Sequence, residues 1–190
     1  MALKSLPYRA AEPLVRKYLS LEEGPKTAAL IRELRIARRR GYLHRLELEA
    51  ICRWKSSRAI RHIRSNTSKE VRDATQTALS TRSERRRLEA LTSLKGVSIP
   101  MASAILMLLN PKRYGVIDIR VWELLHKLGT VTKNSRAVGF TFNNWYQFLM
   151  IIRYFARMHS CTARDIERTL FLAHKKFGSS GNRVGDFGSF

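Results

Sequence analysis

Asp118 is the residue of this sequence whose type and setting point most directly to chemistry. It stands between Val116-Ile117 and Ile119 in a chain that has only 15 Asp and Glu residues. A carboxylate in an apolar setting can stabilise a cationic sugar in a transition state, or it can orient an attacking water. Aspartate is also a favoured helix N-cap, and a helix is expected to follow. The two roles are compatible because capping fixes the side chain.

A glycine-centred turn lies 22 residues before Asp118, at Gly96. Gly96 permits the positive φ or the close approach that a tight reversal between two helices requires, and Val97 is expected to pack inward. Ser98 is placed to cap the second helix, whose first turn accommodates Pro100 because no N–H is needed there. The free N–H groups and the positive dipole end at that helix start form an anion site, for which a DNA phosphate is the natural ligand. The alternative is an ordinary helical hairpin that binds nothing.

The charge of the chain favours a polyanionic partner. Its 190 residues include 36 Lys and Arg against 15 Asp and Glu, a formal net charge of +21. Nucleic acid is the commonest partner for such an excess, and an anionic membrane surface is the second. Two arginine runs, 38–40 and 85–87, are each expected to lie on a solvated helix face. No apolar run could span a bilayer and no signal core is visible, so we expect no membrane insertion and a cytoplasmic location, nucleoid-associated in a bacterium.

The residues that commonly bind metals show no ligand pattern. Cys52 and Cys161 are far apart, lie in helical patterns and are expected to be reduced core thiols. Two thiols are too few for an iron–sulfur cluster, which is therefore excluded. The five histidines are scattered, without zinc spacing. We expect no cofactor.

Helical periodicity dominates the chain and predicts an all-α fold. We expect one domain over 1–177, with possible lobes 20–128 and 1–19 plus 129–177, and a flexible Gly/Ser-rich tail over 178–190. Caps are expected from Thr67, Ser83 and the pair Thr162 and Asp165, and helix ends at Gly41 and Gly129. The expected helices are 7–19, 25–40, 43–54, 57–65, 68–80, 83–95, 100–109, 119–128, 142–158 and 163–177.

Two segments of the chain resemble the helix-hairpin-helix DNA glycosylases of the endonuclease-III-like (HhH-GPD) superfamily. The family's hairpin reads L-P-G-V-G-x-x-T-A, and a V-D-T-H-like segment carries its catalytic aspartate. The spacing between the two segments equals that of the family without a gap, and the similarity covers residues 94–128. The matching residues are Leu94-Lys95-Gly96-Val97-Ser98-Ile99-Pro100-Met101-Ala102 and Ile117-Asp118-Ile119-Arg120.

The resemblance implies a multi-helix HhH-GPD architecture, double-stranded DNA as partner and a monomeric enzyme with Asp118 as catalytic residue. It implies that backbone groups of the hairpin residues Gly96, Val97, Ser98 and Pro100 hold a phosphate, with a possible K+ or Na+ ion. Family members also insert a side chain into the duplex from an upstream loop. Here we expect the segment Trp54-Lys55-Ser56-Ser57 to be that loop. Trp54 would stack on a base or fill the gap, and core packing is the equal alternative. Tyr114 and Trp122 are further candidates for a base pocket, although core packing is the stronger expectation for Trp122.

Departures from the family pattern shape the expected reaction. Bifunctional members place a lysine nucleophile where this chain has Pro100, so we expect a monofunctional glycosylase that leaves an abasic site. Ser98 stands where the family has its second hairpin glycine, and the cysteine loop that binds an iron–sulfur cluster in some members is missing. The alternatives are a glycosylase/lyase that uses a displaced lysine, Lys95 or Lys55, and a non-catalytic DNA-binding module. The target base stays open, from damaged or mismatched bases in repair to bulky modified bases in defence against phage.

Overall fold

Residues 8–179 are described by a computed structural model in which the chain is helical and, over this range, contains no β-strand. The all-α prediction is therefore confirmed. No helix in this range is both long enough and apolar enough to cross a membrane. The α-helices are α1 (Glu12–Tyr18), α2 (Pro25–Glu33), α3 (Arg35–Arg40), α4 (Arg45–Ser56), α5 (Ile60–Arg64), α6 (Ser68–Ser80), α7 (Glu84–Thr92), α8 (Ile99–Leu109), α9 (Ile119–Lys127), α10 (Phe142–Met158) and α11 (Ala163–Ser179).

Helix α8 forms the centre of the core. Every residue from Met101 to Leu109 is buried, as expected for a helix that is apolar on all sides. Helices α2, α3, α4, α7 and α10 contact it. The chain then returns along α8, because the N–H of Ile117 donates to Ser103 Oγ over 3.1 Å. This return carries Asp118 back toward the start of α8.

Most caps and turns follow the sequence prediction, but the side chain of Ser98, which was expected to cap α8, makes no capping hydrogen bond. Thr67 and Glu70 form a capping box at the start of α6, and Ser83 Oγ accepts from the Arg86 N–H at the start of α7. Gly41 and Gly129 adopt φ of +87° and +66° where helices end. At the start of α11 the Thr162 N–H donates to Asp165 Oδ2 over 3.0 Å, and the Asp165 N–H donates back to Thr162 Oγ1.

Several expected helices are shorter or divided. The helix predicted over 25–40 is interrupted at Leu34, whose ψ of −3° turns the chain. Leu34 and Ala37 are both buried, so the turn directs the apolar side of α3 into the core. A 3-10 segment, Arg9–Ala11, precedes α1. Helix α11 continues to Ser179, two residues into the predicted tail, and the rest of that tail lies outside the described residues. The division into lobes stays a prediction.

The segment predicted as a loop, Trp54 to Ser57, is helical. Helix α4 continues through Ser56, and a 3-10 segment, Ser57–Ala59, leads directly into α5. The segment contains neither glycine nor proline to end the helix, and the Cys52 thiol donates to the Ser56 carbonyl over 3.3 Å. Trp54 and Lys55 are therefore held on the last turn of a helix.

Candidate active site

The hairpin between α7 and α8 has the predicted conformation at its centre. Gly96 has φ +80°, and a Cβ added there would lie 2.8 Å from His62 Cβ and 3.1 Å from the Ile63 nitrogen. Glycine is therefore required both by backbone conformation and by the close approach of α5. Val97 is buried, as predicted.

Asn66 connects the hairpin to α5. Its Nδ2 donates to the carbonyls of Ile63 and Lys95 over 2.9 and 3.0 Å, and its Oδ1 accepts from the Lys95 N–H over 2.9 Å. The side chain is 2% exposed, so these bonds are shielded from water. The sequence suggested only a helix cap here, since nothing local shows that residues 66 and 95 meet.

The start of α8 is open to a ligand. Ser98 takes the N-cap position with extended backbone, and its carbonyl accepts from the Ala102 N–H over 2.8 Å. Its side chain makes no capping hydrogen bond, and Pro100 stands in the first turn. The first-turn N–H groups of a helix have no intrahelical acceptor and carry the positive end of its dipole. The anion site that the sequence predicts is thus geometrically possible.

The two carboxylate oxygens of Asp118 have different partners. Oδ1 accepts from the Arg120 N–H over 3.0 Å and caps α9, as predicted. Oδ2 lies 3.3 Å from Lys55 Nζ at the end of α4. About a quarter of the Asp118 side chain is exposed. The capping oxygen is engaged with the backbone, whereas the other oxygen faces Lys55.

The Lys55–Asp118 pair lies where two clefts meet. The first, which we call the hairpin cleft, has a volume of about 320 Å³ and contains Gly96, Ser98 and Pro100 in its wall together with Lys55 and Asp118. The second, which we call the α11 cleft, has a volume of about 310 Å³ and also includes both members of the pair. Its other walls come from Trp54, Val116, Arg120, Arg164, Glu167, Arg168 and Phe171. The structure therefore brings the hairpin, Asp118, Lys55 and Trp54 together.

Trp54 is a wall of the α11 cleft. Its indole N–H donates to Thr27 Oγ1 over 3.1 Å, and the ring is partly buried against the core. A side chain fixed in this way suits stacking within the cleft and does not project from a loop as a wedge.

The structure places Tyr114 and Trp122 away from this site. Tyr114 is 4% exposed, and its hydroxyl donates to Glu84 in a separate cleft near the end of α8. Trp122 is fully buried, and its indole N–H donates to the carbonyls of Lys133 and Asn134. Trp122 is a core residue, and neither side chain lines the clefts beside Asp118.

Glu167 is the residue of this site that the sequence analysis missed. It is 3% exposed on α11, forms an ion pair with Arg164 and lines the α11 cleft. Gly115 allows α11 to come this close, since a Cβ there would lie 2.7 Å from Glu167 Cβ. Glu167 lies 49 residues beyond Asp118 in an ordinary amphipathic helix. No local signal marks it.

The two carboxylates that contact Arg164, those of Glu167 and Glu23, have pKa values that are shifted in opposite directions. Burial raises the pKa of Glu167 above its ordinary value of 4.5, although Arg164, the Val116 N–H and Lys55 act against that shift. Burial also acts to raise the pKa of Glu23, but the Arg164 guanidinium, which Glu23 Oε2 contacts at 2.7 Å, lowers it overall. The α11 cleft thus has a buried acid on its wall whose charged form the surroundings disfavour.

The residues that commonly bind metals do not cluster in the part of the chain that the structure describes. No group of three or more His, Cys, Asp or Glu side chains within 8–179 is placed to hold a metal ion. Cys52 and Cys161 are free thiols, as expected. A monovalent cation at the hairpin would use backbone carbonyls, and it stays a prediction.

Comparison with family models, with curated proteins and with solved structures gives no match to this chain.

Proposed function

We propose that the protein is a monofunctional DNA glycosylase that hydrolyses the N-glycosidic bond of an extruded nucleotide. The observation that carries this proposal is the position of Asp118, which shares the hairpin cleft with the open start of α8. A phosphate-binding turn and a carboxylate on one cleft are the two elements needed to grip a DNA strand and to act on its sugar. The protein acts on double-stranded DNA as a monomer, in the cytoplasm or nucleoid.

The two adjoining clefts suit the three parts of a nucleotide. The strand's phosphate binds at the first-turn N–H groups of α8, next to Gly96 and Ser98. The sugar then lies at the junction, beside Asp118 Oδ2. The flipped base enters the α11 cleft, where Trp54 offers a stacking surface. Glu167 and the guanidinium of Arg120, which lies 5.4 Å from the Phe171 ring centre, supply polar contacts to its edge.

The chemistry then rests on Asp118. As the bond to the base lengthens, the sugar acquires oxocarbenium character, and the carboxylate stabilises that positive charge. A water molecule held by the same carboxylate attacks the anomeric carbon as the bond to the base breaks. The water gives up one proton, and the departing base takes up a proton on the nitrogen that had held the sugar. The products are a free base and an intact strand with an abasic site.

Lys55 favours a second candidate activity, because its amine lies 3.3 Å from Asp118 Oδ2. A lysine at the reacting carbon could form an imine with the sugar and cleave the strand, as in bifunctional glycosylases. We favour the hydrolytic route because the ion pair with Asp118 engages the Lys55 amine. Pro100 also stands where the family places its lysine.

Borohydride trapping separates the two routes. The protein is incubated with a duplex from which it releases a base, with and without borohydride. The hydrolytic route predicts no covalent adduct and no strand break until alkali or heat is applied. A trapped adduct that is absent from Lys55→Gln would establish the lyase route instead.

A non-catalytic DNA-binding module is the alternative from a different class. It predicts duplex binding through the hairpin, with no base released from any duplex. The role in the cell follows from the substrate. Release of damaged or mismatched bases indicates repair, and release of bulky modified bases from phage DNA indicates antiviral defence.

A further inference from the structure

A basic surface lies at the end of α8 opposite the hairpin. The two arginine runs of the sequence, 38–40 and 85–87, meet there, since Arg38, Arg40 and Arg87 line one cleft of about 400 Å³ together with Arg113. Arg113 also lines an adjoining cleft of about 410 Å³ with Lys112, Arg153 and Arg157. We call the connected surface the basic strip and define it by Arg38, Arg40, Lys112, Arg113, Arg153 and Arg157.

Few carboxylates neutralise the basic strip. Among the described residues, Glu84 is the acidic partner of Arg87, Arg113 and Arg153, at 3.1, 3.6 and 2.8 Å. Glu47 pairs with Arg40. Within the described residues no acidic side chain contacts Arg38, Lys112 or Arg157, all of which are exposed. The strip therefore retains a net positive charge in a recessed setting, which strengthens its attraction for anions.

The surroundings of Glu84 favour its ionised form. Burial acts to raise its pKa, but Arg153 and Arg87 outweigh burial and lower the pKa below its ordinary value of 4.5. The Tyr114 hydroxyl donates to the same carboxylate over 3.1 Å. This network holds Arg153 in position, while the more exposed Arg113 side chain lies 3.6 Å from the same carboxylate.

We propose that the basic strip binds the phosphate backbone of a second nucleic-acid segment. Five of its six defining residues are arginines, whose planar donors match phosphate oxygens. The hairpin lies at one end of α8 and the strip at the other, about 16 Å apart for a helix of this length. Because α8 is buried from Met101 to Leu109, its two ends reach the surface on different sides of the core. DNA is stiff over about 150 base pairs, so a duplex held at one end does not bend around to the other. The protein thus has two DNA-binding surfaces, and it can bridge two segments.

The test counts duplexes per chain by native mass spectrometry, with an unmodified duplex of about one helical turn. The strip variant combines Arg38→Gln, Lys112→Gln and Arg157→Gln, none of which removes an observed ion pair. The control variant combines Arg16→Gln, Lys127→Gln and Lys133→Gln, which are exposed and line none of the clefts described above. Both variants lose the same charge.

We expect the strip variant to bind one duplex fewer than the wild type, and the control variant to bind as many as the wild type. An unchanged count in the strip variant, or an equal loss in the control, would overturn the proposal. Binding to anionic phospholipid vesicles that the strip variant alone loses, with no change in duplex count, would overturn it in favour of a membrane surface. The count needs no excision substrate, so failure of the proposed glycosylase activity leaves this test intact.

Discussion

At the scale of single residues, Asp118 can cap a helix and do chemistry because the two tasks use different oxygens. Oδ1 is engaged by the Arg120 N–H, and Oδ2 faces Lys55 at the junction of the clefts. Asparagine retains an oxygen for the cap but loses the charge. Asp118→Asn therefore separates the structural role from the chemical one.

Glu167 gives a prediction about stability and pH. Folding raises the pKa of this acid. As the pH rises above 4.5, Glu167 therefore stays more fully protonated in the folded protein than in the unfolded chain. The contribution of Glu167 to stability is therefore largest at low pH and is lost as the pH rises through the raised pKa. Glutamine resembles the protonated acid and does not titrate.

We expect Glu167→Gln to gain stability relative to the wild type as the pH is raised above 4.5. Urea unfolding of both proteins at several pH values measures the difference, in which the titration of groups distant from Glu167 cancels. If instead the wild type gains stability relative to Glu167→Gln as the pH rises, Arg164 and Lys55 outweigh burial in setting the pKa of Glu167.

At the scale of the elements, the hairpin depends on Gly96 for two reasons that a control can separate. Gly129 shares the positive φ of Gly96, at +66°, but a Cβ added there meets nothing within 4 Å. We expect Gly129→Ala to cost about 1 kcal/mol of stability through backbone strain alone. Gly96→Ala adds a clash with α5, so we expect a larger loss of stability together with weaker binding to duplexes of any sequence.

Thermal unfolding and fluorescence anisotropy with a labelled duplex measure these two effects. If Gly96→Ala folds and binds the duplex as tightly as Gly129→Ala, the hairpin has a structural role only. The phosphate site would then lose its main physical support.

The elements also show which parts of a fold a sequence can predict. The caps at Thr67, Ser83 and Thr162, and the positive φ of Gly96, depend on neighbouring residues, and each was predicted. The break at Leu34 and the helical state of Trp54 to Ser57 were not, because packing against the core decides them.

At the scale of the whole molecule, the charge of +21 predicts a strong dependence of DNA binding on salt. Each phosphate that the protein neutralises releases counterions, so log K falls by about 0.9 per contacted phosphate for each tenfold increase in salt. We expect a slope that corresponds to several contacts and is similar for unrelated sequences. Duplex titrations over a range of NaCl concentrations measure it, and an affinity that salt leaves unchanged would rule out a phosphate-dominated interface.

The candidate site itself was only partly predictable. Asp118 lies 22 residues after Gly96, so the sequence shows directly that the aspartate and the hairpin belong to one segment. The ion pair of Lys55 with Asp118, the place of Glu167 in the α11 cleft and the meeting of the two arginine runs all join distant parts of the chain. Tyr114 and Trp122 were candidates by sequence proximity, and the return of the chain along α8 directs both into other surroundings.

The most direct test of the central claim compares wild-type protein with Asp118→Asn on a panel of duplexes. The panel contains alkylated purines, oxidised guanine, deaminated or mismatched pyrimidines and bulky modified phage bases, and abasic sites are scored after each incubation. We expect the wild type to release a base from at least one duplex. We expect Asp118→Asn to bind that duplex normally but to act at least about a thousandfold more slowly, a loss of about 4 kcal/mol or more in transition-state stabilisation. Near-normal turnover by Asp118→Asn, or wild-type protein that binds every duplex and releases no base, would contradict the assignment.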